Sequence, residues 1–195
     1  ITIFIYTTMK RILFVHIPKT AGTSIWQWLK DNNLENWKRN SNLHHESISE
    51  LKSLNDTTNT FSFAVVRNPY TRIISYWHHA INQRLLNKLD NCYPTLIDFL
   101  NAIVDHKPSP TTPYMIYDQA HYVCENNKIA INKVYKFEKL IELQNDLNIP
   151  KLTNARKQNY HTHLFTNKEI ALIQNIYTND FKLFNYSIIP PHSSH

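Results

Sequence analysis

Two uninterrupted apolar runs, each followed by a polar turn and a helical pattern, constrain the fold of this chain most strongly. The runs are RILFVHI at residues 11–17 and TFSFAVV at residues 60–66. A strand that is hydrophobic on every side is buried on both faces, which is typical of parallel sheets in α/β proteins. Because parallel strands need long crossover connections, the helical patterns between the runs predict helices packed on a central, mostly parallel sheet.

The remaining sequence continues this alternation of strands and helices. TSIWQWLKD predicts a helix after the first strand, SISEL a short helix with a Ser47–Glu50 capping box, and the segment after RNPY a long helix. PTLIDFLNAIV predicts a helix with Pro94 in its first turn, KIAINKVYKF a third strand, and EKLIELQNDL a helix. TNKEIALIQNIYTNDFKLF predicts one last helix, with a capping box at Thr166 and Glu169.

Length, charge and cysteine content limit the class of protein. With 195 residues, 42% of them hydrophobic, we expect a single domain over residues 1–195, with residues 1–8 and 188–195 peripheral or disordered. The net charge of +6 suggests an anionic partner, such as a phosphate-bearing cofactor, an acidic glycan, nucleic acid or a membrane surface. Two cysteines, Cys92 and Cys124, are too few for a disulfide framework. The sequence is compatible with one disulfide between them and with two separate thiols.

No stretch of the sequence approaches the roughly 20 apolar residues that span a bilayer. The apolar start ITIFIYTT is short and lacks the basic segment of a secretory signal. We therefore expect no membrane span, and a cytoplasmic location is favoured. Met9, which precedes Lys10 and Arg11, is the expected true start of the chain.

The only glycine of the chain, Gly22, follows the first apolar run in HIPKTAGTSI. The order strand, loop, helix places a row of backbone N–H groups at a helix N-terminus, which attracts anions. Asparagine can imitate the left-handed φ of glycine but not its missing side chain, so a retained glycine indicates a close approach to the anion. Lys19 adds a positive charge, and Thr20, Thr23 and Ser24 add hydroxyl donors.

This loop differs from a Walker A loop. That motif requires a first glycine and places its lysine after the second one, whereas Lys19 precedes Gly22. A nucleotide kinase is therefore disfavoured. Considered alone, the loop is also compatible with a plain strand–turn–helix corner.

A second loop strengthens the prediction of an anion site. VVRNPYTRIISYW places Arg67 at the end of the second strand and Ser75 eight residues later in the following helix. An arginine fork and a hydroxyl at that spacing can hold a phosphate from one side. Arg72 is expected to face elsewhere and to have a structural role.

FVHIPKTAGTSI and FAVVRNPYTRIISYW resemble the 5′-phosphosulfate loop and the 3′-phosphate motif of sulfotransferases. The resemblance is to the branch that includes the Golgi carbohydrate sulfotransferases and their bacterial and viral relatives. Weaker matches follow in the family's order: HESISEL, YDQAHYV, VYKFEKL and IYTNDFKLFNYS. In the last of these, Asn185 stands where the family has glycine, and the whole resemblance spans residues 11–187.

The resemblance implies a P-loop-like, three-layer α/β fold and 3′-phosphoadenosine-5′-phosphosulfate (PAPS) as the sulfuryl donor. The acceptor is a hydroxyl, by family analogy on a carbohydrate, and the product is the bisphosphate nucleotide PAP. Lys19 would stabilise the developing negative charge, and no metal is required because Lys19, the loop amides and Arg67 supply positive charge. The implied donor-binding residues are Lys19, Thr20, Ala21, Gly22, Thr23, Ser24, Arg67 and Ser75.

The acceptor hydroxyl must lose its proton, so a general base is expected. His45 is the best match to the histidine of the family, and the unperturbed pKa of histidine suits a base near neutral pH. His44 and Glu46 remain alternatives.

Two other classes of function remain open. One is a non-catalytic phosphonucleotide-binding module, and the other is a basic nucleic-acid-binding protein. Against the latter, no predicted helix concentrates lysine and arginine on one face, and no DNA- or RNA-binding motif is present. The histidine pairs His78/His79 and His161/His163 lack cysteine or carboxylate at ligand spacing, so we expect no metal site.

Overall fold

The computed structural model describes residues 11–34, 37–40, 45–86, 93–105, 117–149 and 163–191. They group into two compact units: a first unit within residues 1–67 and 119–156, and a second unit within residues 68–118 and 157–195. The expectation of one domain over residues 1–195 stays a prediction. Met9, His44 and Cys92 lie outside the described residues, as do both extreme termini.

The described helices and strands fall in both units: the first unit contains the strands together with helices, and the described elements of the second unit are helices. In chain order they are β1 (Arg11–Val15), α1 (Gly22–Asp31), α2 (Ile48–Leu54), β2 (Thr60–Val66), α3 (Pro69–Leu86), α4 (Leu96–Val104), α5 (Gln119–Val123), β3 (Cys124–Glu125), β4 (Lys128–Ile129), β5 (Lys133–Lys136), a 3₁₀ turn (Phe137–Lys139), α6 (Leu140–Leu147), α7 (Asn167–Ile176) and α8 (Thr178–Leu183).

A three-stranded parallel sheet forms the centre of the first unit, in the order β1-β2-β5. Leu13 of β1 is opposite Ser62 of β2, and Ala64 of β2 is opposite Val134 of β5. β1 is buried from its second residue onward, as is β2. These observations confirm that the two apolar runs form buried parallel strands of an α/β fold.

One face of this sheet is covered by α1 and α6. Ile25 and Leu29 of α1 and Leu143 of α6 belong to one apolar cluster with Phe14 and Phe63 of the sheet. Ile25 and Leu29 are four residues apart, as are Leu143 and Leu147 of the same cluster, which places each pair on one side of its helix. Burial of this cluster fixes α1, and therefore the loop before it, at the carboxyl end of β1.

The third predicted strand is shorter than expected. Only Lys133–Lys136 joins the sheet, whereas Lys128–Ile129 pairs antiparallel with Cys124–Glu125 in a small hairpin. Its turn consists of Asn126 and Asn127, with φ of 50° and 60°. Two left-handed residues suit a two-residue hairpin turn, and asparagine accepts that conformation. The turn chemistry therefore separates one apolar-looking run into two strands.

The two predicted capping boxes are confirmed. Glu50 Oε2 accepts from the Ser47 N–H at 2.7 Å, and Ser47 Oγ accepts from the Glu50 N–H at 3.3 Å. The same exchange joins Thr166 and Glu169 at 2.7 and 3.3 Å. Each box satisfies backbone N–H groups that a helix start otherwise leaves without intrahelical partners.

Two helix boundaries differ from the predictions. Thr95 caps α4, so Pro94 lies before the helix rather than in its first turn. The last predicted helix is divided at Tyr177 into α7 and α8. Tyr177 is 1% exposed and packs in the core of the second unit; this burial favours a break in the helix that local propensity does not encode.

The core of the second unit contains a buried ion pair. Arg72 of α3 and Asp180 of α8 are 1% and 0% exposed, and Arg72 Nη1 lies 3.8 Å from Asp180 Oδ2. Arg72 also donates to the Tyr76 hydroxyl at 3.3 Å and to the Tyr117 carbonyl at 3.4 Å. Burial raises the pKa of the Tyr76 hydroxyl. The placement agrees with the expected structural role of Arg72.

We expect Asp180→Ala to lower the free energy of unfolding by about 3–5 kcal/mol, because it leaves the buried Arg72 charge without its carboxylate. Chemical denaturation followed by circular dichroism measures this change. Glu142→Ala is the control, since the Lys139–Glu142 pair has side chains 66% and 55% exposed and such pairs contribute about 0–1 kcal/mol. Equal losses in the two variants would contradict a core role for the Arg72–Asp180 pair.

Candidate active site

The loop between β1 and α1 turns through two left-handed residues that are not asparagine. Among the described residues, eight non-glycine residues have a positive φ, and six of these are asparagines. The other two are Lys19, with φ of 67°, and Ala21, with φ of 70°. A left-handed conformation costs about 1–3 kcal/mol for such residues and is concentrated at functional sites in proteins. The strain therefore indicates a loop whose backbone direction serves a function.

The same loop presents backbone N–H groups at the start of α1. Left-handed residues beside a helix start form concavities that bind anions. No side chain caps α1, and the N–H groups of Ser24 and Ile25 turn back to the Ala21 carbonyl at 3.1 and 3.3 Å. The N–H groups of Gly22 and Thr23 precede these bonds, at the positive end of the helix dipole. The loop can therefore receive an anionic group.

The hydroxyl side chains predicted to bind the anion have different environments. Thr20 is fully buried, and its Oγ1 donates to the Ile17 carbonyl at 2.8 Å, which tightens the loop. Thr23 is exposed and Ser24 half-buried on the first turn of α1. Lys19 is half-buried. Contact of these residues with an anion stays a prediction.

Gly22 lacks a side chain for a reason that differs from the expected one. Its φ is not positive, and a Cβ added there would lie 1.8 Å from His16 Nε2 and 1.9 Å from His16 Cδ2. The space assigned from the sequence to an anion is therefore filled, on the Cβ side, by the His16 ring. A role of the Gly22 backbone N–H in binding an anion stays a prediction.

His45 lies beside this loop. Its Nδ1 is 3.1 Å from the carbonyl oxygen of His16, and the two rings have centroids 4.4 Å apart. A carbonyl oxygen only accepts, so Nδ1 carries the proton in this hydrogen bond. The neutral imidazole then has an unprotonated Nε2, which is the form that accepts a proton. His44, the nearest alternative, lies outside the described residues.

Glu46, the other alternative base, belongs to a buried ion pair. Glu46 Oε2 is 3.5 Å from Arg39 Nη1, and the two side chains are 3% and 5% exposed. Arg39 also donates through Nη2 to the Phe14 carbonyl at 3.1 Å, which ties the pair to β1. Glu46 is therefore engaged in a structural contact at β1, and its alternative assignment as the base stays a prediction.

Arg67, at the end of β2, reaches toward the same loop. The residue is 6% exposed, its Nη1 donates to the Lys19 carbonyl at 3.3 Å, and its Cζ lies 4.3 Å from the ring centroid of Phe137. The aromatic face supports the guanidinium electrostatically and orients its plane. The structure therefore brings Lys19 and Arg67, both predicted donor-binding residues, together in the first unit.

Gln119 fixes the backbone of Arg67. Its Oε1 accepts from the Arg67 N–H at 2.7 Å, and its Nε2 donates to the Arg67 carbonyl at 2.8 Å. Gln119 is fully buried at the start of α5. Because one amide side chain satisfies both backbone groups, it holds the chain direction at the end of β2. Gln119 lies in YDQAHYV, one of the weaker matches to the family, and the sequence alone assigns no role to it.

Ser75, the remaining predicted donor-binding residue, belongs to the second unit. It lies on α3 and is 5% exposed. Its partnership with Arg67 at a phosphate stays a prediction.

Among the described residues, no group of three or more histidine, cysteine, aspartate or glutamate side chains is arranged to hold a metal ion. Over the same residues, no helix has both the length and the apolar character needed to cross a membrane.

The family model described as "Sulfotransferase family" matches residues 3–187 of the chain. This match covers both loops and every helix and strand described above. No curated protein matches the sequence.

We expect Gln119→Leu to destabilise the protein by about 2–4 kcal/mol, because it removes the two hydrogen bonds that Gln119 makes with the buried N–H and carbonyl of Arg67. Chemical denaturation measures the loss. The control is Gln27→Leu, the same change at an exposed residue of α1, with an expected effect within about 0.5 kcal/mol. A Gln119→Leu variant as stable as this control would show that the side chain does not fix the end of β2.

Proposed function

The chain belongs to the sulfotransferase family, and on this premise we propose that it transfers a sulfuryl group from PAPS to an acceptor hydroxyl on a carbohydrate. The transfer is in line, and His45 is the general base. The donor carries two separate anionic groups, a 5′-phosphosulfate and a 3′-phosphate. Its recognition therefore calls for two positively charged positions on one rigid framework.

One observation carries this proposal: the buried Arg67 guanidinium is hydrogen-bonded to the carbonyl of left-handed Lys19. The bond joins the ends of two parallel strands, where ligands of open α/β sheets bind. It places a cationic fork beside a loop whose N–H groups are suited to an anion. The arrangement fits a ligand with two anionic groups better than it fits a plain strand–turn–helix corner.

Lys19 and the loop N–H groups supply electrostatic stabilisation in the proposed mechanism. Negative charge builds on the oxygen that bridges sulfur and phosphorus as the bond to the leaving phosphate breaks. Preorganised N–H donors and a lysine ammonium at that oxygen lower the barrier more than they strengthen ground-state binding. Thr23 and Ser24 lie on the first turn of α1, and their hydroxyl groups are assigned as further donors.

Arg67 is assigned to the 3′-phosphate. A guanidinium can give a phosphate two parallel N–H bonds, and the Phe137 ring beneath it limits its orientation. Ser75, in the second unit, is assigned to the same phosphate on the resemblance alone.

His45 removes the acceptor proton. The bond from Nδ1 to the His16 carbonyl leaves Nε2 as the acceptor, and the backbone carbonyl stabilises the imidazolium that forms after proton transfer. The oxygen of the acceptor then attacks sulfur, and the proton stays on His45 until the product leaves. A binding module without catalysis would have no need of a histidine oriented in this way.

Thermal shift and transfer assays test the proposal against its rivals. We expect PAP and PAPS to raise the melting temperature, a DNA oligonucleotide to leave it unchanged, and labelled sulfate to pass from PAPS to a glycan acceptor mixture. Stabilisation by PAP with no transfer to any glycan would favour the binding module. Stabilisation by DNA alone would favour the nucleic-acid-binding class.

Two nucleotides that differ in the 3′-phosphate test the assignment of Arg67. Arg67→Ala should weaken the binding of PAPS by about 10²-fold while changing the binding of adenosine 5′-phosphosulfate, which has no 3′-phosphate, only slightly. Calorimetric titration measures both affinities, and their ratio within the variant cancels any general damage. Arg11→Ala, which removes an exposed arginine, is the control. Equal losses for both nucleotides would overturn the assignment of Arg67.

Turnover and donor affinity should respond differently to the loss of the Lys19 side chain. Lys19→Ala should lower kcat by about 10²–10³-fold and change donor affinity much less, because the charge it stabilises develops only in the transition state. Lys128→Ala, at an exposed lysine of β4, should leave both unchanged. If Lys19→Ala weakened donor binding and left kcat at the wild-type value, Lys19 would be a ground-state ligand only.

Replacing His45 and His44 in turn tests the assignment of the general base. His45→Ala should lower kcat by about 10²–10⁴-fold, leave donor binding nearly unchanged and remove the acidic limb of the pH–rate profile. His44→Ala, its neighbour in sequence, should stay within a few-fold of wild type. The reverse pattern would move the role to His44, and two active variants would show that neither histidine is the base.

A further inference from the structure

We infer that His16 is a positioning residue that links the anion-binding loop to the base, because its ring contacts both Gly22 and His45. The inference rests on the proposed function in one respect, the assignment of His45 as general base. Contact with His16, and not contact with an anion, then explains why the only glycine of the chain is retained. His16 itself receives a role that the sequence alone did not assign to it.

The His16 ring lies so close to Gly22 that no side chain could fit at position 22 without moving the ring. Hydrogen replaces Cβ at Gly22, and the His16 ring occupies the resulting space, with Nε2 and Cδ2 within 1.8 and 1.9 Å of where Cβ would be. The φ of Gly22 is one that any residue adopts. The glycine is therefore required for space and not for backbone freedom.

The His16 ring has little room to move away. It is half-buried and stacks on Phe14, a fully buried residue of β1, with centroids 5.5 Å apart and planes 22° apart. The His45 ring lies against it at 4.4 Å. A methyl group added at position 22 would therefore displace the His16 ring and disturb its contact with His45, because Phe14 belongs to the packed sheet and cannot yield.

His16 contacts His45 in two ways. Its ring packs on the His45 ring, and its carbonyl accepts the hydrogen bond of His45 Nδ1 at 3.1 Å. The ring contact sets where the base lies, and the carbonyl sets which nitrogen carries the proton. The chain Gly22–His16–His45 therefore transmits the position of the anion-binding loop to the base.

A double-mutant cycle tests this chain of contacts. Gly22→Ala alone should lower kcat by about 10²-fold, the scale of a 1 Å misplacement, and should lower the midpoint of chemical denaturation. His16→Ala alone should lower kcat by about tenfold with little change in PAP affinity, because proximity to the base is loosened but not blocked. In the His16→Ala background, Gly22→Ala should cost less than about twofold, since the methyl group then enters the vacated space.

His121→Ala is the matched control, because His121 is an exposed histidine of the same unit. Gly22→Ala should cost as much in that background as in wild type. If Gly22→Ala fails to fold alone, recovery of a folded protein in the His16→Ala double variant is the supporting result. Equal costs of Gly22→Ala with and without His16 would overturn the inference.

A readout that needs no activity separates this inference from the proposed function. The imidazole resonances of His45 should shift in Gly22→Ala and return toward those of His16→Ala in the double variant. Such shifts together with an absence of sulfuryl transfer would overturn the proposed function and support the contact chain. Unchanged His45 resonances in a folded Gly22→Ala variant would overturn the contact chain, whatever the activity.

Discussion

The strained corner between β1 and α1 is the constraint on which the site depends. Within a few residues the chain must leave a buried strand, pass through left-handed Lys19 and Ala21, and begin a helix. Such strain persists only where the surroundings over-determine the backbone. Here the Thr20 hydroxyl bonds to the Ile17 carbonyl inside the loop, and Arg67 bonds to the Lys19 carbonyl from the next strand. Thr20 and Arg67, which hold the corner, are therefore also residues proposed to bind the donor.

Sequence patterns predict the parts of the fold that depend on local chemistry. Continuous apolar runs predicted β1 and β2, and the Ser47–Glu50 box predicted the start of α2, because each is a relation between residues near one another in the chain. The hairpin at Asn126 was missed because its strands have only two residues each, too few for a periodic pattern. The break at Tyr177 depends on tertiary packing, which no local pattern contains.

The candidate site shows the same division. Lys19, Arg67 and His45 were predicted from residue type and motif, and the structure places all three in the first unit. The roles of His16 and Gln119 depend on contacts across 6 to 52 residues, between His16 and Gly22 and between Gln119 and Arg67. Asparagine does take over left-handed positions, including Asn185 with φ of 50°. That substitution makes the retained glycine informative, and the structure explains the retention by the His16 ring.

Hydrogen–deuterium exchange with and without PAP tests the central claim most directly, because it reports on the loop amides themselves. We expect PAP to slow exchange in the peptide containing Lys19 to Ser24, while the β3–β4 hairpin at residues 124–129 exchanges as before. Slower exchange elsewhere in the chain, with no change between Lys19 and Ser24, would contradict the assignment of this strained loop as the donor site.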